Sequence, residues 1–185
     1  MRARHAGRMI GAVGVAVIGI AAGLMLGKAK KFGVKAHMAL SGDWEKQLGS
    51  EHDITRKLLK QMAEAGPEEA VKRVALLETV HQALTRHAVE EENIVYPALR
   101  EAAGEEAVDL LVREHAEMKT LIRRMQQLPA EDPAWSVAAK ALKALVTRHA
   151  RREETELFPL LHDEDGADNK TMTRLVRHEG AQVMT

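Results

Sequence analysis

Apolar positions recur every three to four residues from about Asp43 to Leu161, the period of an amphipathic α-helix rather than of a strand. Punctuation divides this run. Gly66-Pro67-Glu68-Glu69 stops one helix and starts the next. The glycine is expected in the left-handed conformation at a helix end, the proline suits a first turn, and the two acids complement the positive end of the following dipole. Gly104-Glu105-Glu106 makes a second break, and "LPAEDPAW" a third, with Asp132 a candidate cap before Pro133. Helices are therefore expected roughly over 43–65, 67–102, 105–128 and 133–161. Short connections make sequential helices antiparallel neighbours, so the expected fold is all-α, an up-down-up-down four-helix bundle. Pro97 and Pro159 are expected to kink or end the second and fourth helices at matching places. "HDEDGADN" reads as a polar loop and "KTMTRLVRHEG" as a short fifth helix. The expected organisation is an N-terminal segment over 1–35, a linker over 36–42, the bundle over 43–162, and the loop with its fifth helix over 163–185.

The N-terminus follows another pattern. "MIGAVGVAVIGIAAGLML", Met9 to Leu26, carries no charge, and a helix of that length spans roughly 27 Å, close to a bilayer's hydrocarbon thickness. Arg2, Arg4 and Arg8 precede it; Lys28, Lys30, Lys31 and Lys35 follow. This reads as a single-pass membrane anchor. A cleaved signal peptide is the competing reading, with Gly27-Lys28-Ala29 its one small-x-small site. Basic residues on both flanks barely choose an orientation, and the lysines after the segment lean towards a cytoplasmic bundle. Gly19, Gly23 and Gly27 fall at helical spacing and form a flat stripe suited to self-association into a homo-oligomer.

The bundle itself is written twice. "TRHAVEEENIVYPAL", Thr85 to Leu99, returns 62 residues later as "TRHARREETELFPLL", and "EHDITRKLLKQM", Glu51 to Met62, aligns with "EHAEMKTLIRRM" at an offset of 63. A duplicated helical hairpin places matching residues on an approximate two-fold axis. His87 and Glu91 lie one turn apart on one face, as do His149 and Glu153, while His52 and His115 come from the first and third helices. Left unpaired in an aliphatic core, four imidazoles and two carboxylates would cost on the order of several kcal/mol. A metal resolves that conflict. Six protein ligands around one ion would leave no open position, so two ions are expected: His52 and His87 on one, His115 and His149 on the other, Glu91 and Glu153 bridging both. His5, His37, His81, His162 and His178 have no repeat partner. His81, six residues before His87, reads as a surface or packing residue, and of the rest only His178 in "RHEG" invites attention.

Composition narrows the chemistry. The chain has 27 Lys and Arg against 27 Asp and Glu, so nothing in its net charge argues for nucleic acid as a partner. It has no cysteine, which excludes disulfides, thiolate ligands and a thiol nucleophile. Imidazole and carboxylate without thiolate suit iron, with manganese and zinc as competing occupants.

The set His52, His87-x-x-x-Glu91, His115 and His149-x-x-x-Glu153, with "VYP" and "LFP" after the two pairs, resembles the hemerythrin-like HHE cation-binding family over about residues 45–162. The resemblance implies a bundle around a non-haem di-iron centre that binds oxygen, senses oxygen or iron, or handles peroxide. Oxygen-carrying hemerythrins place a second histidine four residues after the first in the third helix, where this chain has Lys119. They end with a histidine and a more distant aspartate, where this chain has His149 and Glu153. One imidazole fewer implies a more open, symmetric centre, suited to consuming oxygen or peroxide rather than carrying oxygen. Tyr96 or Glu90 is expected to tune proton supply. Two other functions compete: a sensing module, and a membrane assembly in which the metal is a staple and zinc serves as well as iron.

Overall fold

The computed structural model describes residues 43–161 and 167–183, and every regular element among them is helical. α1 (Trp44–Glu64) starts at Asp43, whose side chain accepts a hydrogen bond from the Lys46 backbone N–H at 2.9 Å. It ends on Ala65 in extended conformation. Gly66 is not left-handed, contrary to the sequence expectation: its φ is −74° and its ψ 166°. Pro67 follows it, and a residue before proline is driven to extended backbone. Gly66 instead opens the next turn, its N–H donating to the Glu69 carboxylate at 3.0 Å around a short 3-10 turn, Pro67–Glu69. Among the described residues, the glycine that uses positive φ is Gly104, at 86°.

The second rod of the bundle is α2 (Ala70–Glu90), a π turn over Glu91–Val95, and α3 (Tyr96–Ala103). α4 (Glu105–Gln127) is the third rod. The fourth is α5 (Pro133–Arg152), capped by Asp132 through the Ala134 N–H at 2.7 Å, then a π turn over Glu153–Leu157 and a 3-10 turn over Phe158–Leu161. α6 (Ala167–Gln182) follows. The two prolines thus act differently from a simple kink. Pro97 and Pro159 have no N–H to give to the carbonyl four residues back, and each is preceded by a widened turn in which Tyr96 and Phe158 donate to the carbonyls of Glu91 and Glu153. Turns of this kind concentrate at functional sites, and each of these begins on a glutamate of the repeated pair.

Two apolar clusters fill the bundle. One gathers Leu59, Met62, Val80, Ile122, Trp135 and Leu142 near the α1–α2 and α4–α5 connections. The other gathers Trp44, Leu48, Leu99, Leu111, Phe158 and Val176 at the opposite end. Each such side chain contributes about 1.5–3 kcal/mol by leaving water. A polar layer lies between them. α6 packs on α1, α2 and the first π turn; Thr173 Oγ1 accepts from the Trp44 N–H at 3.0 Å, and Gly180 lies against Glu90 where a Cβ would collide with the carboxylate. At the connection end Arg73 is buried and donates to the carbonyls of Ala65 at 2.9 Å and Ala130 at 2.6 Å and to Ser136 Oγ at 2.8 Å. Its guanidinium sits 4.8 Å above the Trp135 ring.

No described helix is long and apolar enough to cross a membrane. The apolar segment Met9–Leu26 with its glycine stripe, and His162, lie outside the described residues.

Candidate metal centre

The layer between the two clusters holds the repeated residues. His52 comes from α1, His87 from the end of α2, His115 from α4 and His149 from the end of α5, while Glu91 and Glu153 open the two π turns. All six are buried. His52 and His87 face each other, Nε2 to Nε2, at 2.7 Å; His115 and His149 do so at 3.1 Å. Glu91 reaches both pairs: Oε1 is 3.1 Å from His87 Nε2 and 3.8 Å from His52 Nε2, and Oε2 is 3.3 Å from His115 Nε2. Glu153 mirrors it, with Oε2 3.3 Å from His52 Nε2 and Oε1 3.3 Å from His149 Nε2.

The outer nitrogens decide what the inner ones can do. His87 Nδ1 meets Glu51 at 3.0 Å, His149 Nδ1 meets Glu114 at 3.0 Å, His115 Nδ1 meets Glu92 at 2.8 Å, and His52 Nδ1 meets Glu154 at 2.8 Å. Cations back these carboxylates: Arg86 on Glu51, Arg152 on Glu114, Lys119 on Glu92 and Arg56 on Glu154. Burial opposes ionisation of Glu51, but His87 and Arg86 outweigh it and lower its pKa. His115 and Lys119 hold Glu92 low, and Glu154 is lowered by His52 and Arg56 against its burial. Ionised carboxylates only accept, so each Nδ1 is the donor and each Nε2 turns its lone pair inward.

Lone pairs that close repel unless a cation or a proton lies between them. Two nitrogens at right angles on one ion, with bonds of roughly 2.1 Å, stand about 3 Å apart, close to both observed separations. Both oxygens of Glu91 and Oε2 of Glu153 are buried and accept no hydrogen bond among the described residues. The donors His52, His87, Glu91 and Glu153 form one group that could hold a metal ion, and Glu91, His115 and His149 a second; within each, the ligand atoms lie within 4.8 Å of one another. The layer therefore fits metal cations. With protons in their place, burial disfavours the imidazolium of His87, yet Glu91 and Glu51 hold its pKa well above the ordinary value. His149 is likewise pushed up, to about 10, by Glu153 and Glu114 against its burial.

The halves differ at one corner. Tyr96 donates its O–H to Glu153 Oε1 at 2.8 Å and lies 3.3 Å from His115 Nε2. Its repeat partner Phe158 lies parallel to His52 at 6.4 Å and has no hydroxyl to offer. Glu90, expected like Tyr96 to tune proton supply, points away from the layer into the space between Arg86 and Gly180, and its burial and the Glu51 charge raise its pKa to about 8. Lys119 does not enter the layer, since it holds Glu92 instead. His178 is exposed and bonds to Gln182, and His81 bonds to Gln126 near the bundle surface.

The four orienting glutamates escape a search for ligand spacing. Their signal is present nevertheless: a glutamate precedes each of His52 and His115, and a second follows each of Glu91 and Glu153. One of them sets a pH limit. Burial raises the pKa of Glu114, but His149 and Arg152 prevail and bring it from 4.5 to about 2. Its contribution to stability is complete above pH 4.5 and is lost as the pH falls towards 2. Thermal unfolding of the metal-free chain should show this loss, and Glu114→Gln should flatten it; an unchanged acid limb in that variant would remove Glu114 as its source.

A family model described as the hemerythrin HHE cation binding domain matches residues 46–161. The crystal structure of a hemerythrin HHE cation binding domain-containing protein from Mycobacterium kansasii shares the fold with a TM-score of 0.66 at 20% identity, over 77% of this chain and 87% of that one. A DNA nickase from Nostoc sp. is 31% identical over 84 residues, which are 45% of this chain and 24% of that protein. The family match runs from the start of α1 to the end of the fourth rod and takes in the whole histidine layer, and the chain belongs to the hemerythrin HHE cation binding domain family.

Proposed function

We propose that His52, His87, His115, His149, Glu91 and Glu153 hold two iron ions, and that the centre reacts with dioxygen or peroxide. The observation that carries this reading is the pair of carboxylates whose oxygens reach both histidine pairs. Two imidazoles on each side with two shared carboxylates are too few donors to close two coordination spheres, which supports reaction over stapling. Iron there would supply electrons and an open coordination position to dioxygen or peroxide. The chain's part is to aim the ligands, to keep bulk water away with the two apolar clusters, and to hold a proton nearby. Burial, with Glu91 and Glu153, keeps the Tyr96 phenol well above its ordinary pKa, so it remains a donor to Glu153 Oε1 at neutral pH.

The proposal extends to residues 9–26 as a membrane tether and to Gly19, Gly23 and Gly27 as a self-association stripe. It does not extend to nicking DNA, because the match with the Nostoc protein covers 24% of that protein.

The test uses the full chain loaded anaerobically with ferrous iron. About two irons per chain are expected, with a new ligand-to-iron absorption on adding oxygen or peroxide that decays as peroxide is consumed. Zinc taken in preference to iron, or iron indifferent to both oxidants, would overturn the reading in favour of a staple.

A further inference from the structure

On the side of the histidine layer that faces the α1–α2 and α4–α5 connections, the bundle encloses a cavity of about 350 Å³. The four histidines form its floor, and Leu84, Ala88, Met118, Ile122 and Val146 its apolar wall. It opens between α2 and α4, past Lys119, Arg123 and Gln126, all exposed. Dioxygen and peroxide are about the size of a water, whose share of liquid volume is roughly 30 Å³, so the cavity is far larger than either requires. Its volume falls at the lower end of pockets for small organic ligands, roughly 300–1,000 Å³.

Two observations specify the ligand. No carboxylate lines the cavity, although the chain is as rich in acids as in bases. Lys119 and Arg123 stand at its mouth, and Arg123 makes no ion pair among the described residues. The second is Thr55, which lines the cavity one turn beyond His52. Thr79, Thr120, Thr147 and Thr155 each donate to the carbonyl four residues back, at 2.8–2.9 Å. Thr55 does not: it is 4% exposed and its hydroxyl has no hydrogen-bond partner among the described residues. The little exposure it keeps is to the cavity it lines, so the hydroxyl is available to a guest.

We propose that the cavity binds a small organic oxyanion: a carboxylate on an apolar body of about half a dozen heavy atoms. Arg123 draws the anion in, and Lys119, paired with Glu92, stands beside it. The apolar wall takes its body, and Thr55 donates to its head beside the histidine floor. The inference goes beyond the metal reading and rests on it only in that cations held by the histidines would strengthen the attraction.

Hexanoate is the probe, with hexanol and hexylamine for comparison, titrated calorimetrically into the full chain, metal-free and zinc-loaded, in one neutral detergent throughout. Hexanoate should bind saturably at one site, hexanol about tenfold more weakly, and hexylamine not at all. Thr55→Val, nearly isosteric, and Arg123→Glu should each weaken hexanoate about three- to tenfold while leaving hexanol binding, circular dichroism and bound zinc unchanged. Equal affinity for hexanol and hexanoate, or hexanoate binding indifferent to Thr55→Val, would overturn the proposal, as would no binding in either metal state. Zinc count and hexanoate affinity are read separately, so a chain that binds hexanoate but takes up no zinc fails the metal reading alone.

Discussion

A chain carrying Glu91→Ala is expected to retain no more than one metal ion, with affinity lowered by about 100-fold, or about 2.7 kcal/mol. Glu91 is the carboxylate that comes within 3.1–3.8 Å of three of the four Nε2 atoms. In the proposed centre, removing it would take away one shared donor and the negative charge that balances the second ion. The metal-free fold also loses the partner that keeps buried His87 protonated, so thermal stability should fall together with metal content. Glu91→Gln separates the two effects, since it preserves volume and one acceptor while removing the charge. Glu92→Gln leaves every proposed ligand in place and alters only what orients His115, a change that typically costs 10–100-fold in affinity. Metal counted after gel filtration decides the matter: two ions at undiminished affinity in Glu91→Ala would take Glu91 out of the centre.

Arg73→Met should cost about 3 kcal/mol and lower the melting temperature by about 10 °C, with metal content unchanged. Methionine keeps the apolar stem over Trp135 but donates nothing, so the Ala65 and Ala130 carbonyls lose the guanidinium they share. Those carbonyls belong to the α1–α2 and α4–α5 connections, and Arg73 is the side chain that ties the two together. The position is fourteen residues from His87 on the same helix, about 21 Å along the axis, which is why the metal layer should not respond. A melting temperature within a degree or two of the parent would mean that water or neighbouring groups satisfy both carbonyls as well as Arg73 does.

Arg73 also shows where sequence reading stops. Its position in "AVKRVALL" is that of an ordinary charged residue on a helix face, and only the convergence of two distant connections explains its burial. The helices were legible because their ends are local: Asp43, Asp132 and Gly104 act on backbone groups within a few residues of themselves. The left-handed expectation for Gly66 failed on an equally local effect, the extended conformation that Pro67 imposes. The six layer residues were legible because duplication repeats them. The same repeat carries Glu92 and Glu154, but a second acid beside a first reads as solvent-facing on an ordinary helix. The π turns change that, for they aim Glu91 and Glu153 inward, while Glu92 and Glu154 turn to the neighbouring rod. No composition signal announces a widened turn, although Pro97 and Pro159 follow each at the same distance.

The four orienting carboxylates have a consequence for ancestry. Glu51 orients His87 and Glu114 orients His149 within their own hairpins, whereas Glu92 and Glu154 orient His115 and His52 across the boundary. A lone ancestral hairpin would thus have carried one histidine with its companion and one without. Meeting a second copy of itself would have completed the set, and fusion of the two copies would have made that encounter permanent. Once duplicated, the copies could inherit different changes. Tyr96 against Phe158 and Thr55 against Met118 are such differences, and they give the first hairpin a phenol and a hydroxyl that the second lacks.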